Sequence, residues 1–122
     1  MSDLTLYHYS GCSTCRAARR WLSEQGHAPE LIDLVAAPPS KARLAKLWRD
    51  SEQPLRRLFN TSGQSYRQGG FGERLKGMSD AEALAALAAD GKLIKRPILV
   101  GPDFVLIGFK ADAYAAKLGG SV

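Results

Sequence analysis

Apolar and polar positions change rhythm several times along the chain. Leu4-Thr5-Leu6-Tyr7-His8-Tyr9 is rich in β-formers and runs into Ser10-Gly11, which predicts a first strand ending in a tight loop. From Ser13 to Gln25 the spacing turns helical. Ala18, Trp21 and Leu22 fall on one face, Arg16, Arg19 and Arg20 on the other, and Gly26 stops the helix. Glu30-Leu31-Ile32-Asp33-Leu34 reads as a second strand. Strand, helix and strand in so short a span imply a parallel pair joined by a crossover helix.

Pro38-Pro39 then punctuates the chain, and Ser40 is placed to cap a helix carrying Leu44, Leu47 and Trp48. Leu55, Leu58 and Phe59 behind Pro54 suggest a short second helix, and Asn60-Thr61-Ser62-Gly63 a loop. Phe71 and Leu75 read as buried anchors in a glycine-rich stretch. Ser79-Asp80-Ala81-Glu82 has the spacing of a capping box and opens an alanine-rich helix with Leu84 and Leu87, closed by Gly91. Pro97-Ile98-Leu99-Val100 and Phe104-Val105-Leu106-Ile107 flank Gly101-Pro102-Asp103 and predict a β-hairpin. An amphipathic segment from Ala111 to Leu118 follows. The order β-α-β, helices, β-β-α is that of an α/β thioredoxin-like fold. One domain spans residues 1–122, with a mostly helical insertion at about 36–92.

Composition narrows the class. With 122 residues and 45% hydrophobic side chains the chain suits one compact domain and is too apolar to be disordered. Two cysteines do not make a disulfide scaffold. No apolar run nears the ~18 residues of a membrane span. Met1-Ser2-Asp3-Leu4 lacks a basic and apolar leader, so a cytoplasmic protein is the expectation. The net charge of +5 is uneven: residues 1–39 sum to −1, residues 40–76 to +6, and residues 77–122 to zero. The excess therefore lies in the insertion, as a solvated face or as a surface for an anionic partner. No aromatics interleave with these basic residues and no DNA-reading motif is present, which argues against direct nucleic-acid binding.

The chemistry concentrates in Gly11-Cys12-Ser13-Thr14-Cys15, a CxxC at the strand-to-helix junction. A helix N-terminus offers unpaired N–H groups and partial positive charge, both of which stabilise a thiolate. Cys12 is therefore the expected nucleophile. Ser13 and Thr14 can add hydroxyl hydrogen bonds, and Arg16 a cation. Cys15, one turn on, is near enough to resolve a mixed disulfide on Cys12. Two other readings stand beside the redox dithiol. One is half of a zinc site completed by His8 and His27, whose spacing is poor for ligands. The other is a pair of inert buried thiols. His8, on a strand between tyrosines, reads as a packing residue.

Lys95-Arg96-Pro97 precedes the third strand. In a thioredoxin-type fold the corresponding proline is cis and faces the cysteine loop, which would carry Arg96 toward Cys12. Its planar guanidinium suits an oxyanion. The plainer reading is a surface arginine before a strand-initiating proline.

Four segments together carry a family resemblance. They are Tyr9-Ser10-Gly11-Cys12-Ser13-Thr14-Cys15-Arg16, Leu58-Phe59-Asn60-Thr61-Ser62-Gly63, Leu93-Ile94-Lys95-Arg96-Pro97-Ile98-Leu99-Val100 and Val105-Leu106-Ile107-Gly108-Phe109-Lys110. The chain resembles the arsenate reductase (ArsC)/Spx-type family over nearly its whole length. The resemblance implies Cys12 as the cysteine that attacks the oxyanion, Cys15 as resolving thiol, and Arg96 as the anion-binding arginine before cis-Pro97. Ser13, Thr14 and Arg16 complete the expected anion site. It implies no bound cofactor or metal, with glutathione and glutaredoxin as the reductant. Two departures stand out. Asn60 and the Gly108-Phe109-Lys110 segment occupy places where further anion-binding arginines are found in glutaredoxin-linked arsenate reductases. The CxxC, by contrast, resembles the Spx-like branch, some members of which are redox-sensing regulators that bind the RNA polymerase α-subunit. The expected partner is thus a small oxyanion or a thiol/disulfide partner such as glutaredoxin, with RNA polymerase as the alternative.

Overall fold

The computed structural model describes residues 3–120. The chain divides into two compact units, Met1–Asp33 with Arg96–Val122, and Leu34–Lys95.

The first unit is a four-stranded sheet with helices. In chain order it holds β1 (Thr5–His8), α1 (Ser13–Glu24) and β2 (Glu30–Asp33), then β3 (Ile98–Val100) and β4 (Val105–Ile107), and finally a C-terminal helix at Ala111–Leu118. The strand order is β2-β1-β3-β4, with β1 parallel to β2 and antiparallel to β3. The parallel pair follows from the crossover through α1, and the antiparallel β3–β4 pair from the short turn at Gly101–Asp103. Gly101 N–H closes that turn onto the Phe104 carbonyl at 2.9 Å.

Period-two alternation sends Leu6 and its partner Leu99 to one face, where they meet Ala18 and Leu22 of α1, together with Trp21, Phe104 and Tyr114. Tyr114 is fully buried. Its ring lies edge-on to Phe109 at 4.8 Å and to Trp21 at 5.9 Å between centroids. Its hydroxyl donates to the Gly108 carbonyl at 2.9 Å, so the buried phenol keeps a partner. Alpha-1 ends where the sequence pattern stops it: Gly26 takes φ +83°, and His27 N–H returns to the Leu22 carbonyl at 2.8 Å.

The second unit is helical. It contains α2 (Lys41–Ser51), α3 (Gln64–Gln68), α4 (Phe71–Arg74) and α5 (Asp80–Ala89), and the helix at Ala111–Leu118 in the first unit is therefore α6. Ser40 caps α2 through the Arg43 N–H at 3.1 Å. The capping box of α5 is complete, with Glu82 N–H on Ser79 Oγ at 3.1 Å and Ser79 N–H on the Glu82 carboxylate at 2.9 Å. That backbone bond holds the Glu82 carboxyl below its ordinary range. Leu44 and Leu47 of α2 and Ala83, Leu84 and Leu87 of α5 are the buried apolar positions of the two helices.

Between them the chain departs from the expected pattern in three places. The helix behind Pro54 is a single 3-10 turn, Leu55–Leu58, and Phe59 leaves it as extended backbone that bridges to Ile94. The glycine-rich stretch carries α3 and α4, which bring Tyr66 and Phe71 against Phe59 at centroid distances of 6.4 and 5.9 Å. Phe71 is a buried anchor, but Leu75 is only half-buried, because it sits in a short 3-10 turn (Leu75–Gly77) after α4.

Among the described residues no helix is long and apolar enough to cross a membrane.

Candidate functional site

The site is built where β1 gives way to α1. Tyr9-Ser10-Gly11 turns the chain, and Cys12 N–H closes the turn on the Tyr9 carbonyl at 3.1 Å. A side chain at Gly11 would press on the Tyr9 ring, whose nearest atom lies 3.0 Å from where a Cβ would stand. Cys12 is itself the N-cap of α1. Its backbone is extended, and its Sγ accepts the Cys15 N–H at 3.1 Å. A sulfur thus occupies the place usually taken by a serine or aspartate oxygen, facing N–H groups that have no partner within the helix. Ser13 and Thr14 form the exposed first turn of the helix.

Cys15 faces inward and is fully buried, whereas Cys12 is half-buried. Burial first, and a hydrogen bond with the Cys12 side chain second, push the Cys15 thiol up to about 12, against opposing pulls from the Tyr9 backbone and the Arg96 charge. Cys15 is therefore protonated at neutral pH, and the pair is asymmetric: one accessible sulfur and one sheltered thiol. Iodoacetamide near pH 7 should then alkylate Cys12 alone in the native protein, with Cys15 reacting only as the pH approaches 12 or on unfolding. Peptide mass mapping reads the two sites separately. The same shift fixes a sign for stability. The folded state holds a proton that the unfolded chain loses above an ordinary thiol pKa of about 8.5, so this contribution is complete below that pH and is lost as pH rises toward 12.

The Arg96–Pro97 peptide bond is cis. Arg96 is half-buried, its guanidinium carbon lies 5.0 Å from the centroid of the Tyr9 ring, and its charge is felt at Cys15. The Pro97 carbonyl accepts the Gly108 N–H at 2.7 Å, tying the hairpin's far strand to the residue beside the site. The structure thus assembles Cys12, Cys15, Tyr9 and Arg96 at one end of the sheet. Arg16 is used differently. Its Nη1 donates to the Ser10 carbonyl at 3.0 Å, and it lines a separate groove along α1.

The two departures from the arginine pattern have local explanations. Gly108 is buried at φ +84°, a backbone that favours glycine, and Lys110 is the exposed N-cap position of α6. Asn60 accepts a bond from Ser62 Oγ at 3.3 Å, takes its own N–H to the Leu93 carbonyl at 2.8 Å, and so shapes its loop.

Tyr9 is the residue the sequence pattern did not single out. Its only signal was aromatic character at the strand end, and its pairing with Arg96 is a contact between segments far apart in the chain. His8 is half-buried, and its Nδ1 is buried without a hydrogen-bond partner among the described residues. Burial first and the Arg19 charge second hold its pKa below the ordinary value, against Asp33. Among the described residues no cluster of three or more histidine, cysteine or acidic side chains is arranged to hold a metal ion.

The ArsC family model matches residues 7–117. The chain belongs to the ArsC family. Within it, the Bacillus subtilis (strain 168) protein YusI is 44% identical over 112 residues, covering 92% of this chain and 95% of that protein. An arsenate reductase of Escherichia coli is 31% identical over 102 residues, 84% of this chain and 71% of the enzyme. The global transcriptional regulator Spx of Streptococcus agalactiae serotype V is 24% identical over 115 residues, 94% of this chain and 82% of the regulator. Among solved structures, an ArsC family related protein from Bacteroides fragilis superposes with a TM-score of 0.90 at 34% identity, covering 93% of this chain and 96% of that one. The fold is accordingly the thioredoxin-like fold of the ArsC family, and the chain is an ArsC-family thiol redox protein. Relatives named as an enzyme and as a regulator both align with it.

Proposed function

We propose that the protein is a cytoplasmic dithiol oxidoreductase in which Cys12 is the nucleophile and Cys15 the resolving thiol. The observation that carries this reading is the capping geometry: Cys12 Sγ accepts the first-turn N–H of Cys15 at 3.1 Å, with the Cys15 thiol buried one turn into the same helix. On a disulfide R–S–S–R′, the Cys12 thiolate bonds to one sulfur and expels the other as R′S⁻. Cys15 then attacks Cys12 Sγ and passes its proton to the departing RS⁻. The protein ends as a Cys12–Cys15 disulfide, and the acceptor has gained two electrons. With an arsenic(V) oxyanion the same two electrons yield arsenic(III), and the lost oxygen leaves as water.

Arg96 and the first turn of α1 at Ser13 and Thr14 are the groups suited to hold an anionic acceptor. Glutathione with glutaredoxin is the reductant to test first, since the arsenate reductase relative marks that acceptor chemistry. A second reading is favoured by a different observation. The Leu34–Lys95 unit has eleven basic and six acidic side chains, hence the whole net charge of +5, while the sheet unit is neutral. With an Spx relative aligned over 94% of the chain, this basic unit supports a redox-sensing role at an acidic face of the RNA polymerase α-subunit.

One experiment separates the two. Purified protein is given NADPH, glutathione, glutaredoxin and arsenate, and in parallel the polymerase α-subunit with and without prior oxidation. Turnover lost in Cys12→Ser supports the oxidoreductase. Absence of turnover with oxidation-dependent capture of the α-subunit supports the regulator, and failure of both removes both readings.

A further inference from the structure

The sheet unit is neutral overall, yet three of its six basic side chains lie together. Arg16, Arg19, Arg20 and Ser23 recur at helical spacing on one face of α1 and form one wall of a groove of about 580 Å³ that holds no acidic side chain in its lining. His27 and Leu31 line it as well. Leu31, on the terminal strand β2, is 42% exposed and stands out as the exposed large hydrophobic side chain among the described residues. Apolar surface left in water beside a run of cations marks a recognition surface better than either feature alone.

The three guanidinium groups are lightly committed. Arg16 gives one N–H to the Ser10 carbonyl. Arg20 meets Glu24 at 3.7 Å with both side chains more than half exposed, a contact worth little in water. The charge of Arg19 opposes protonation of His8. Of the acidic side chains of these two elements, Glu24 on α1 meets Arg20, and Asp33 acts on His8 from β2. Glu30 stands beside Leu31 at the start of that strand.

We infer that this groove docks an acidic extended segment of a protein partner, with carboxylates on Arg19 and Arg20 and one apolar side chain on Leu31. From Arg16 to Ser23, α1 rises roughly 10 Å, the length of about three extended residues. Arginine is suited to this because its fork takes a carboxylate through two parallel bonds. Arg16, which lines the groove, also donates to the Ser10 carbonyl in the loop that leads to the cysteines. That the partner exchanges electrons with them rests on the redox reading above; the docking does not. The consequence is a division of labour. The positive charge that selects this partner is local to α1 and separate from the surplus on the helical unit.

The test is fluorescence anisotropy of a labelled Asp-Glu-Leu-Glu-Asp peptide against the full chain, with an Asn-Gln-Leu-Gln-Asn peptide as the uncharged control. The acidic peptide should bind and the control should not. Affinity should fall at least about tenfold in Arg19→Gln/Arg20→Gln, drop in Leu31→Ser, and weaken as salt is raised. It should be unchanged in Lys46→Gln on α2 and in Cys12→Ser, the latter separating docking from sulfur chemistry. Arg19 and Arg20 are exposed, and the unfolding midpoint of the double variant confirms an intact fold. No binding by the native chain, equal binding by the double arginine variant, or an equal loss in Lys46→Gln would overturn the inference.

Discussion

Replacing Cys12 by serine should abolish thiol–disulfide exchange, lowering turnover by at least about a thousandfold, because a serine hydroxyl stays protonated where a thiolate is required. Cys15→Ser should fail differently. Cys12 remains at the mouth of the helix and still attacks, but nothing within the chain resolves the product, so in the absence of added thiol the protein should accumulate as a mixed disulfide that intact-mass measurement detects. The contrast follows from the asymmetry of the pair. Cys12 is half-buried and caps α1, whereas Cys15 is fully buried and held as a thiol with its pKa pushed up to about 12. The Cys12 variant must also be checked for folding, since serine is a good N-cap and should leave the helix start intact. If Cys15→Ser turned over as well as the native protein with a single-sulfur acceptor, the resolving role would pass to an external thiol.

A second large effect is expected far from the sulfur chemistry. Gly91 is buried after α5, and any Cβ placed on it would overlap the backbone carbonyl of Leu34. Backbone cannot step aside as the end of a flexible side chain can. Gly91→Ala should therefore cost about 3 kcal/mol, at the upper end of overpacking penalties. Urea denaturation should show this as a lower midpoint with an unchanged slope. Gly77→Ala is the matched control. A Cβ there meets nothing within 4 Å, and the change should cost far less. Equal effects at the two positions would mean that loss of glycine, not the close approach to Leu34, sets the cost.

Gly91 also shows what was legible in the chain and what was not. As a helix stop it could be read from its position after an alanine-rich run, but its contact with Leu34 joins residues more than fifty positions apart, and no local pattern carries that information. The β-α-β start, the hairpin and the capping box at Ser79 were legible because each is specified by neighbours in sequence: alternation, turn residues, or a cap with its partner three residues on. The region from Gln64 to Gly77 was not, because glycines and polar residues mask helices of a turn or so that exist by packing Tyr66 and Phe71 against Phe59. At the site, the CxxC and Arg96-Pro97 stood out as short motifs. Tyr9 under Arg96 did not, nor did the placement of Leu31 from β2 beside the arginine face that helical spacing gives α1.

The most direct test of the central claim is the mass of the oxidised protein. Treated with a mild oxidant and digested without reductant, the chain should yield one product two hydrogens lighter, with Cys12 and Cys15 joined in a single internal disulfide, and the link should disappear in either serine variant. Intermolecular dimers or Cys12 adducts with Cys15 left as a thiol would contradict the dithiol account.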